Sequence, residues 1–384
     1  MELKRLTEKD YDELLTMLNY VFSHKYGRPT DFERELPKMW VRDEESMSKH
    51  IGVWEDGRLC SVVGVYPLPA KVAGIPCLFA TTGNVATLPE YEGRGFMSTA
   101  FAQAMEAVGK MGVDAARLGG NRQRYARFGF EGCGTVYNFC FEQSDRVRFF
   151  KEYAGGISFR EIQETDVEIL DFCNKLSRTR MFYVERSTEH DYREVYRAMC
   201  GKVKTPYIAF QDGLPIGYLC ASDKNGDIGE LKAVTIDALK DMICAWQEKW
   251  DKMIRFPIAP YMTEELRLFV QGADTYGITY PSRFRIMNWV KLVDAFMKLK
   301  ASYEQMPEGE LVIEIVDYGC LNIYVRGGEA GCEFTAKNAK LRLDSLAASR
   351  LIFGPMPPLE ITDAAPLLRA WFPLPLTWDF LDAV

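Results

Sequence analysis

The apolar positions of this chain follow two periods, and the change between them locates its elements. Ile51-Gly52-Val53-Trp54-Glu55 and Arg58-Leu59-Cys60-Ser61-Val62-Val63-Gly64-Val65 flank Asp56-Gly57, a pair that predicts a two-residue hairpin turn. The uncharged run Leu78 to Leu88 predicts a central strand. From Phe96 the period lengthens: Met97, Phe101, Ala104, Met105, Val108 and Met111 recur at three- and four-residue steps with Gln103, Glu106 and Lys110 between them. That spacing predicts an amphipathic helix. Strand and helix are joined by Pro89-Glu90-Tyr91-Glu92-Gly93-Arg94-Gly95. A glycine turn opening a helix leaves amide N–H groups unpaired at the positive end of the helix dipole, where an anion such as a pyrophosphate fits. Ala115 to Gly120 predicts another short strand, followed by Asn121-Arg122-Gln123-Arg124-Tyr125-Ala126-Arg127-Phe128-Gly129-Phe130.

Upstream, Thr7 and Asp10 form a capping-box signature, and Tyr11, Leu14, Leu15 and Leu18 supply the apolar stripe of the helix it opens. Tyr20 to Pro37 interleaves charges and aromatics and reads as a loop. After Gly155-Gly156 the pattern restarts. Leu6, Asp10, Asp12 and Leu14 correspond to Ile162, Asp166, Glu168 and Leu170, and the hairpin turn at Asp56 to one at Asp212, all 156 residues later. One offset shared by two separate elements argues for internal duplication. The copies differ at the anion turn: Gly229 to Val234 runs into Thr235-Ile236-Asp237 without a glycine, and Asp237 is expected to cap the helix with a carboxylate where an anion would sit. From Arg285 the texture changes again, to a helix over Ile286–Phe296, strands over Gly309–Asp317 and Cys320–Gly328, a helix around Leu343–Phe353 and an apolar tail, Trp371 to Leu376.

Composition narrows the function classes. At 384 residues, with 47% apolar and 26% charged, the chain has material for two or three cores. A net charge of −7 disfavours a nucleic-acid partner and mildly favours cationic substrates. The ten cysteines lack metal-knuckle spacing and read as small buried hydrophobes in a reducing compartment; the three histidines are spaced to share no metal and read as solvated or helix-end residues. The amino terminus lacks an apolar signal region, and Gly74, Pro76, Gly83 and Asn84 break the uncharged run Val72–Pro89, so buried strands explain it better than a membrane span. The expectation is a cytoplasmic protein without a metal, a membrane or a nucleic acid as partner.

Val85-Ala86-Thr87-Leu88-Pro89, then Glu90-x-x-Gly93-x-Gly95-Phe96, then Tyr125-x-x-x-Gly129-Phe130 resemble the acetyl-CoA site of the GNAT acetyltransferase superfamily. The family's loop begins with Arg or Gln where this chain has Glu90, which puts an acid near the phosphates; Arg94 can supply a cation instead. The resemblance implies that acetyl-CoA is held by Val85, Ala86, Thr87, Glu92, Gly93, Arg94, Gly95, Phe96 and Asn121. It also implies that backbone N–H groups near Val85 face the developing oxyanion, and that Tyr125 is the general acid, its pKa lowered by Arg122, Arg124 and Arg127.

Over the whole chain the order of parts resembles the Eis (enhanced intracellular survival) acetyltransferases. It implies an α/β, mixed-sheet architecture: a catalytic GNAT domain over residues 1–150, a degenerate GNAT-like domain over 151–284 that binds no CoA, and a sterol-carrier-like α+β domain over 285–384. In that family the carboxylate of the last residue is the base. This chain overshoots the expected Phe380, so the base is the carboxylate of Val384, or Asp379 or Asp382, or water-mediated. The activity implied is transfer of acetyl from acetyl-CoA to a primary amine of a cationic small molecule, aminoglycoside- or polyamine-like, by a hexamer. A protein or peptide amine as acceptor, and a non-catalytic binder of CoA or an apolar ligand, are the alternatives. Making a lysine-type amine nucleophilic at pH 7 costs roughly 4.6 kcal/mol, so some base must take its proton.

Overall fold

Strands β1 (Glu2–Arg5), β2 (His50–Glu55), β3 (Arg58–Val72) and β4 (Ile75–Thr87) form an antiparallel ribbon. Asp56 and Gly57 take φ of 51° and 78°, the left-handed pair that lets β2 turn directly into β3. The computed structural model describes residues 1–142, 144, 153, 155–163, 165–186, 198–199, 202–203, 205–250, 253–358 and 366–382. Helices α1 (Tyr11–Tyr26), α2 (Phe32–Glu35) and α3 (Glu44–Ser48) lie between β1 and β2. The capping box forms as expected: the Asp10 carboxylate accepts from the Thr7 N–H (2.7 Å) and hydroxyl (2.9 Å).

After β4 come α4 (Phe96–Lys110), β5 (Ala115–Leu118), α5 (Arg122–Ala126), β6 (Glu131–Cys133) and β7 (Val136–Phe141). Alternation along β3 divides the two faces of the sheet. Val63 and Val65 pack with Phe101, Ala104 and Val108 of α4, while Leu59 and Val62 pack with Leu14 and Leu18 of α1. Of the predicted α4 stripe, Met111 is exposed, because it sits past the last helical turn.

The segment expected as a loop, Tyr20 to Pro37, is largely helical. α1 runs on to Tyr26 and stops at Gly27, whose φ is 61°; α2 follows, capped by Asp31. Val21 and Phe22 continue the three- and four-residue steps from Leu14 and Leu18, a signal masked by the polar residues among them.

The repeat contains β8 (Ile157–Glu161), α6 (Val167–Ser177), β9 (Phe182–Val184), the ribbon β10 (Ala198–Met199) and β11 (Lys202–Val203), then β12 (Thr205–Gln211), β13 (Leu214–Ala221), β14 (Ile228–Ala233), α7 (Ile236–Trp250), β15 (Ile254–Ile258), α8 (Thr263–Gly272), β16 (Thr275–Thr279) and β17 (Ser282–Ile286). Asp212 and Gly213 repeat the hairpin φ values, 51° and 78°. The two units exchange a strand. The first sheet runs β1-β2-β3-β4-β5-β17-β6, so β17 enters between β5 and β6, while β7 enters between β15 and β16. Residues 136–141 and 282–286 thus each complete the other unit.

Helix α9 (Trp289–Ala301) packs on a sheet ordered β20-β19-β18-β21, made of β18 (Gly309–Ile315), β19 (Gly319–Arg326), β20 (Glu329–Phe334) and β21 (Leu341–Leu343). α10 (Ser345–Phe353) and α11 (Pro366–Trp371) follow. β20 and β21 were not expected from the sequence; Gly327-Gly328 and a short polar segment hide them. The tail then crosses to the first unit. The Thr135 N–H donates to the Leu376 carbonyl (2.7 Å), and the Trp378 ring lies 5.2 Å from Phe79 and 6.1 Å from Phe182. Among the described residues no helix is long and apolar enough to cross a membrane, and no cluster of three His, Cys, Asp or Glu could hold a metal.

Candidate active site

The site is built on an irregularity in β4. Val62 pairs with Ala86 but Gly64 with Gly83, so Asn84 and Val85 together face Val63, a bulge in which Asn84 takes φ of 52°. On its other edge β4 pairs with β5 only from Phe79 to Thr82, beyond which the strands part. The backbone groups past Thr82 are thereby turned toward open space rather than a neighbouring strand. The Thr82 hydroxyl, buried beside this opening, has no hydrogen-bond partner in the described structure.

A buried chain of side chains holds the bulge. The Asn84 amide donates to the Tyr66 hydroxyl (2.6 Å), which donates to His50 Nε2 (2.7 Å), while His50 Nδ1–H points at the Met47 carbonyl (3.3 Å). Gly64 makes room for this: a Cβ there would meet the Tyr66 hydroxyl at 2.4 Å. The sequence suggested a solvated or helix-end histidine, but His50 is buried because its neutral ring completes this chain. His190, read the same way, lies outside the described residues. Burial pushes the His50 pKa down to about 4, outweighing its bonds to backbone carbonyls. A lowered base pKa means that the unfolded chain binds the extra proton, so this contribution is complete above about pH 6.5 and is lost as pH falls toward 4. Urea titrations are expected to show about 2 kcal/mol less stability from this group at pH 5 than at pH 7. His50→Gln should remove that part of the pH slope.

Two cavities meet at Val85. The larger, of about 840 Å³, is lined by Val85, Ala86, Thr87, Glu92, Gly93, Gly95 and Phe96, together with Lys25, Arg124 and Arg127. Its volume suits a large ligand. Gly93 and Gly95 take φ of 76° and 83°, a conformation that favours glycine, and Gly95 is the N-cap of α4. The smaller cavity, of about 400 Å³, shares Phe22, Lys25, Val85 and Arg124, and adds Tyr26, Phe32, Glu35, Asn84, Asn121 and Tyr125. Glu35 is bonded to Arg28 at 2.9 Å.

Several residues singled out in the sequence are placed otherwise than expected. The Arg94 guanidinium turns to Glu55 (2.6 Å) and lies over the Tyr91 and Phe96 rings, away from the cavity lining. Glu90, expected beside the phosphates, is held by Arg58 at 2.9 Å. Asn121 caps α5 by accepting from the Gln123 N–H (2.8 Å), and it lines the smaller cavity instead of the larger. The cations of the larger cavity are Lys25, Arg124 and Arg127, which the sequence analysis did not assign to it; the continuing α1 stripe places Lys25.

Tyr125 is 5% exposed, packs tilted against Phe101 (5.4 Å between ring centroids) and fills space left by Gly120, where a Cβ would meet its ring at 2.8 Å. Burial raises its pKa, and the neighbouring Arg124 cation offsets only part of the rise. The expected lowering by three arginines does not occur: Arg122 is bound to Glu131 and Arg127 to Ser98 (2.9 Å). The phenol therefore keeps its proton at neutral pH.

The carboxylates proposed as bases are engaged elsewhere. Asp382 accepts from Arg186 at 3.0 and 3.2 Å, and Asp379 from Lys232 at 3.4 Å, with Arg180 3.8 Å away. Val384 lies outside the described residues. Nearby, Lys38 Nζ donates to the Leu381 carbonyl, which ties the tail two residues from Leu36 in the smaller cavity. In the second unit Thr235, not Asp237, caps α7: its hydroxyl accepts from the Ala238 N–H (3.1 Å), and Asp237 falls inside the first turn. The corresponding cleft has about 290 Å³ and no glycine in its turn.

The bulge of β4, the glycine turn at the start of α4 and the buried Tyr125 thus converge on two adjoining cavities. Residues 2–133 match the family model described as acetyltransferase (GNAT) domain, so the chain carries a domain of that kind over about a third of its length. The whole chain shares its fold with solved structures of similar length. These include a GCN5-related N-acetyltransferase from Anabaena variabilis (15% identity, 100% of both chains, TM-score 0.69) and one from Kribbella flavida (18%, 100% of both, 0.66). Eis1 from Mycobacterium abscessus is similar at 14% identity, over 100% of this chain and 99% of that one, with a TM-score of 0.66. No curated protein sequence matches the chain.

Proposed function

We propose that this protein transfers acetyl from acetyl-CoA to a primary amine of a small molecule. The observation that carries this reading is the parting of β4 from β5 after Thr82, with a glycine-turn cavity on one side of Val85 and a Tyr125-lined cavity on the other. The turn at Glu92, Gly93, Gly95 and Phe96 suits the diphosphate, and Val85, Ala86 and Thr87 suit the pantetheine arm. A main-chain N–H beside Val85 can face the oxyanion as the thioester is attacked. Tyr125, which keeps its proton at neutral pH, supplies it to the departing sulfur, and the Val384 carboxylate takes the amine's proton. The bond between Lys38 and Leu381 supports that base by leading the tail toward the smaller cavity.

The same reading takes the protein as a cytoplasmic hexamer and keeps the domain limits at 1–150, 151–284 and 285–384. In it the second unit is inactive and the third is sterol-carrier-like. The acceptor suggested by the overall charge is cationic, but the charges that line the smaller cavity favour the class argued below. Calorimetry on the full chain tests the reading: one acetyl-CoA is expected per chain. Gly95→Ala, forced into a left-handed backbone at a cost of about 1–2 kcal/mol, should weaken binding about tenfold or more. Two sites per chain, or none, would refute it.

A further inference from the structure

We propose that the acceptor is an amine that also carries a carboxylate and an apolar side group, an α-amino-acid-like molecule, with its carboxylate on Lys25 and its side group against Phe22, Tyr26 and Phe32. The inference deepens the acetyl-transfer reading and rests on it. It starts from the charges around the smaller cavity. Its one acidic lining residue, Glu35, is bonded to Arg28 at 2.9 Å, while Lys25 and Arg124 are both cations. A polycation entering there would meet two like charges and a carboxylate that already has a partner. An anionic group is what this lining lacks.

The two cations have different places. Arg124, next in sequence to Tyr125, lines both cavities and so lies on the side of the leaving group. Lys25 sits on the last turn of α1 with its ammonium 5.4 Å from the Phe22 ring and 5.6 Å from the Tyr26 ring, on the aromatic wall itself. A carboxylate bound to Lys25 leaves the neighbouring apolar group on that wall, with Phe32 5.1 Å from Phe22.

The arrangement also bears on the proton the amine must lose. Positive neighbours disfavour an ammonium ion, so with the carboxylate paired to Lys25 it is Arg124 that makes the amine lose its proton more readily. Once neutral, the nitrogen attacks the thioester carbonyl carbon. The C–N bond forms, the C–S bond breaks, and the sulfur leaves with the bonding pair and takes the Tyr125 proton. The proton lost from the ammonium goes to the Val384 carboxylate proposed above, and the surplus proton left on nitrogen after attack returns through water to the phenolate, so the products are the N-acetyl acceptor and free CoA thiol.

The test uses the full chain, acetyl-CoA and three probes: L-phenylalanine, 2-phenylethylamine (the same ring and amine without the carboxylate) and spermidine, with thiol release as the readout. Phenylalanine is expected to have the highest kcat/KM, at least tenfold above phenylethylamine, and Lys25→Gln should shrink that ratio about tenfold. Taking the ratio cancels any effect of Lys25 on acetyl-CoA, whose cavity it also lines. Spermidine or phenylethylamine matching phenylalanine, a ratio unmoved by Lys25→Gln, or bound acetyl-CoA with no turnover of any probe would each overturn the inference alone. Absence of acetyl-CoA binding would overturn the acetyl-transfer reading itself.

Discussion

Tyr125→Phe is expected to lower kcat for acetyl transfer by about a hundredfold or more while leaving the Kd for acetyl-CoA within about twofold. The separation follows from what the substitution keeps. Phenylalanine retains the ring that packs against Phe101 at 5.4 Å and fills the space left by Gly120, so the fold and the cavity wall should survive. What goes is one hydroxyl whose raised pKa keeps it protonated at neutral pH. Without that proton the sulfur must leave as a thiolate. Thiol-release kinetics beside calorimetry on the same preparation check the prediction. An unchanged kcat would remove Tyr125 from the chemistry, and a matching loss of acetyl-CoA affinity would recast it as a wall of the site.

The second large effect concerns stability and lies far from the cavities. Glu230→Gln is expected to destabilise the protein by about 3–5 kcal/mol, because it takes from two buried cations the carboxylate they share. The side chains of Glu230 and Arg186 are only 2% and 3% exposed, and they meet bidentately at 2.7 and 2.9 Å. Lys232 is 3.7 Å from the same carboxylate, and Tyr218 donates to it at 2.5 Å. Burial alone would raise the Glu230 pKa, but Arg186 and Lys232 together outweigh it and hold the group well below the usual carboxylate range. Asp382, on the other side of Arg186, is pushed up by burial, and Arg186 only partly offsets this. The two carboxylates compete for one guanidinium, and Glu230 has the better share. Since Asp382 and Asp379 fasten the tail to this cluster, the variant should also loosen the chain end. Urea denaturation gives the stability loss, and faster cleavage by carboxypeptidase reports the loosened end. A loss below about 1 kcal/mol would mean that water reaches the cluster and screens it.

Much of the local structure was legible in advance. Asp56-Gly57 and Asp212-Gly213 form the hairpins expected of them, Gly93 and Gly95 adopt the positive φ values that an amide-rich turn requires, and the α4 stripe is buried from Phe101 to Val108. The bulge was half legible: Gly83-Asn84 inside a strand is a known signal for one, yet its neighbours Tyr66 and His50 lie 18 and 34 residues away from Asn84. The loop reading of Tyr20 to Pro37 missed that α1 continues to Tyr26, which is what brings Lys25 and Phe22 to the junction of two cavities.

What the chain determines alone is whatever depends on neighbouring residues: the turns, the helix stripe, the capping box and the 156-residue repeat, because φ preferences and apolar spacing act over a few positions. Tertiary structure decided which strand completes which sheet and which partner each charge takes. Arg94 goes to Glu55, 39 residues distant, and Asp382 to Arg186, 196 residues distant. Such choices are settled when backbone edges and buried charges compete for partners in the closed fold, where desolvation makes an unpaired group costly, and no stretch of sequence carries that competition within itself.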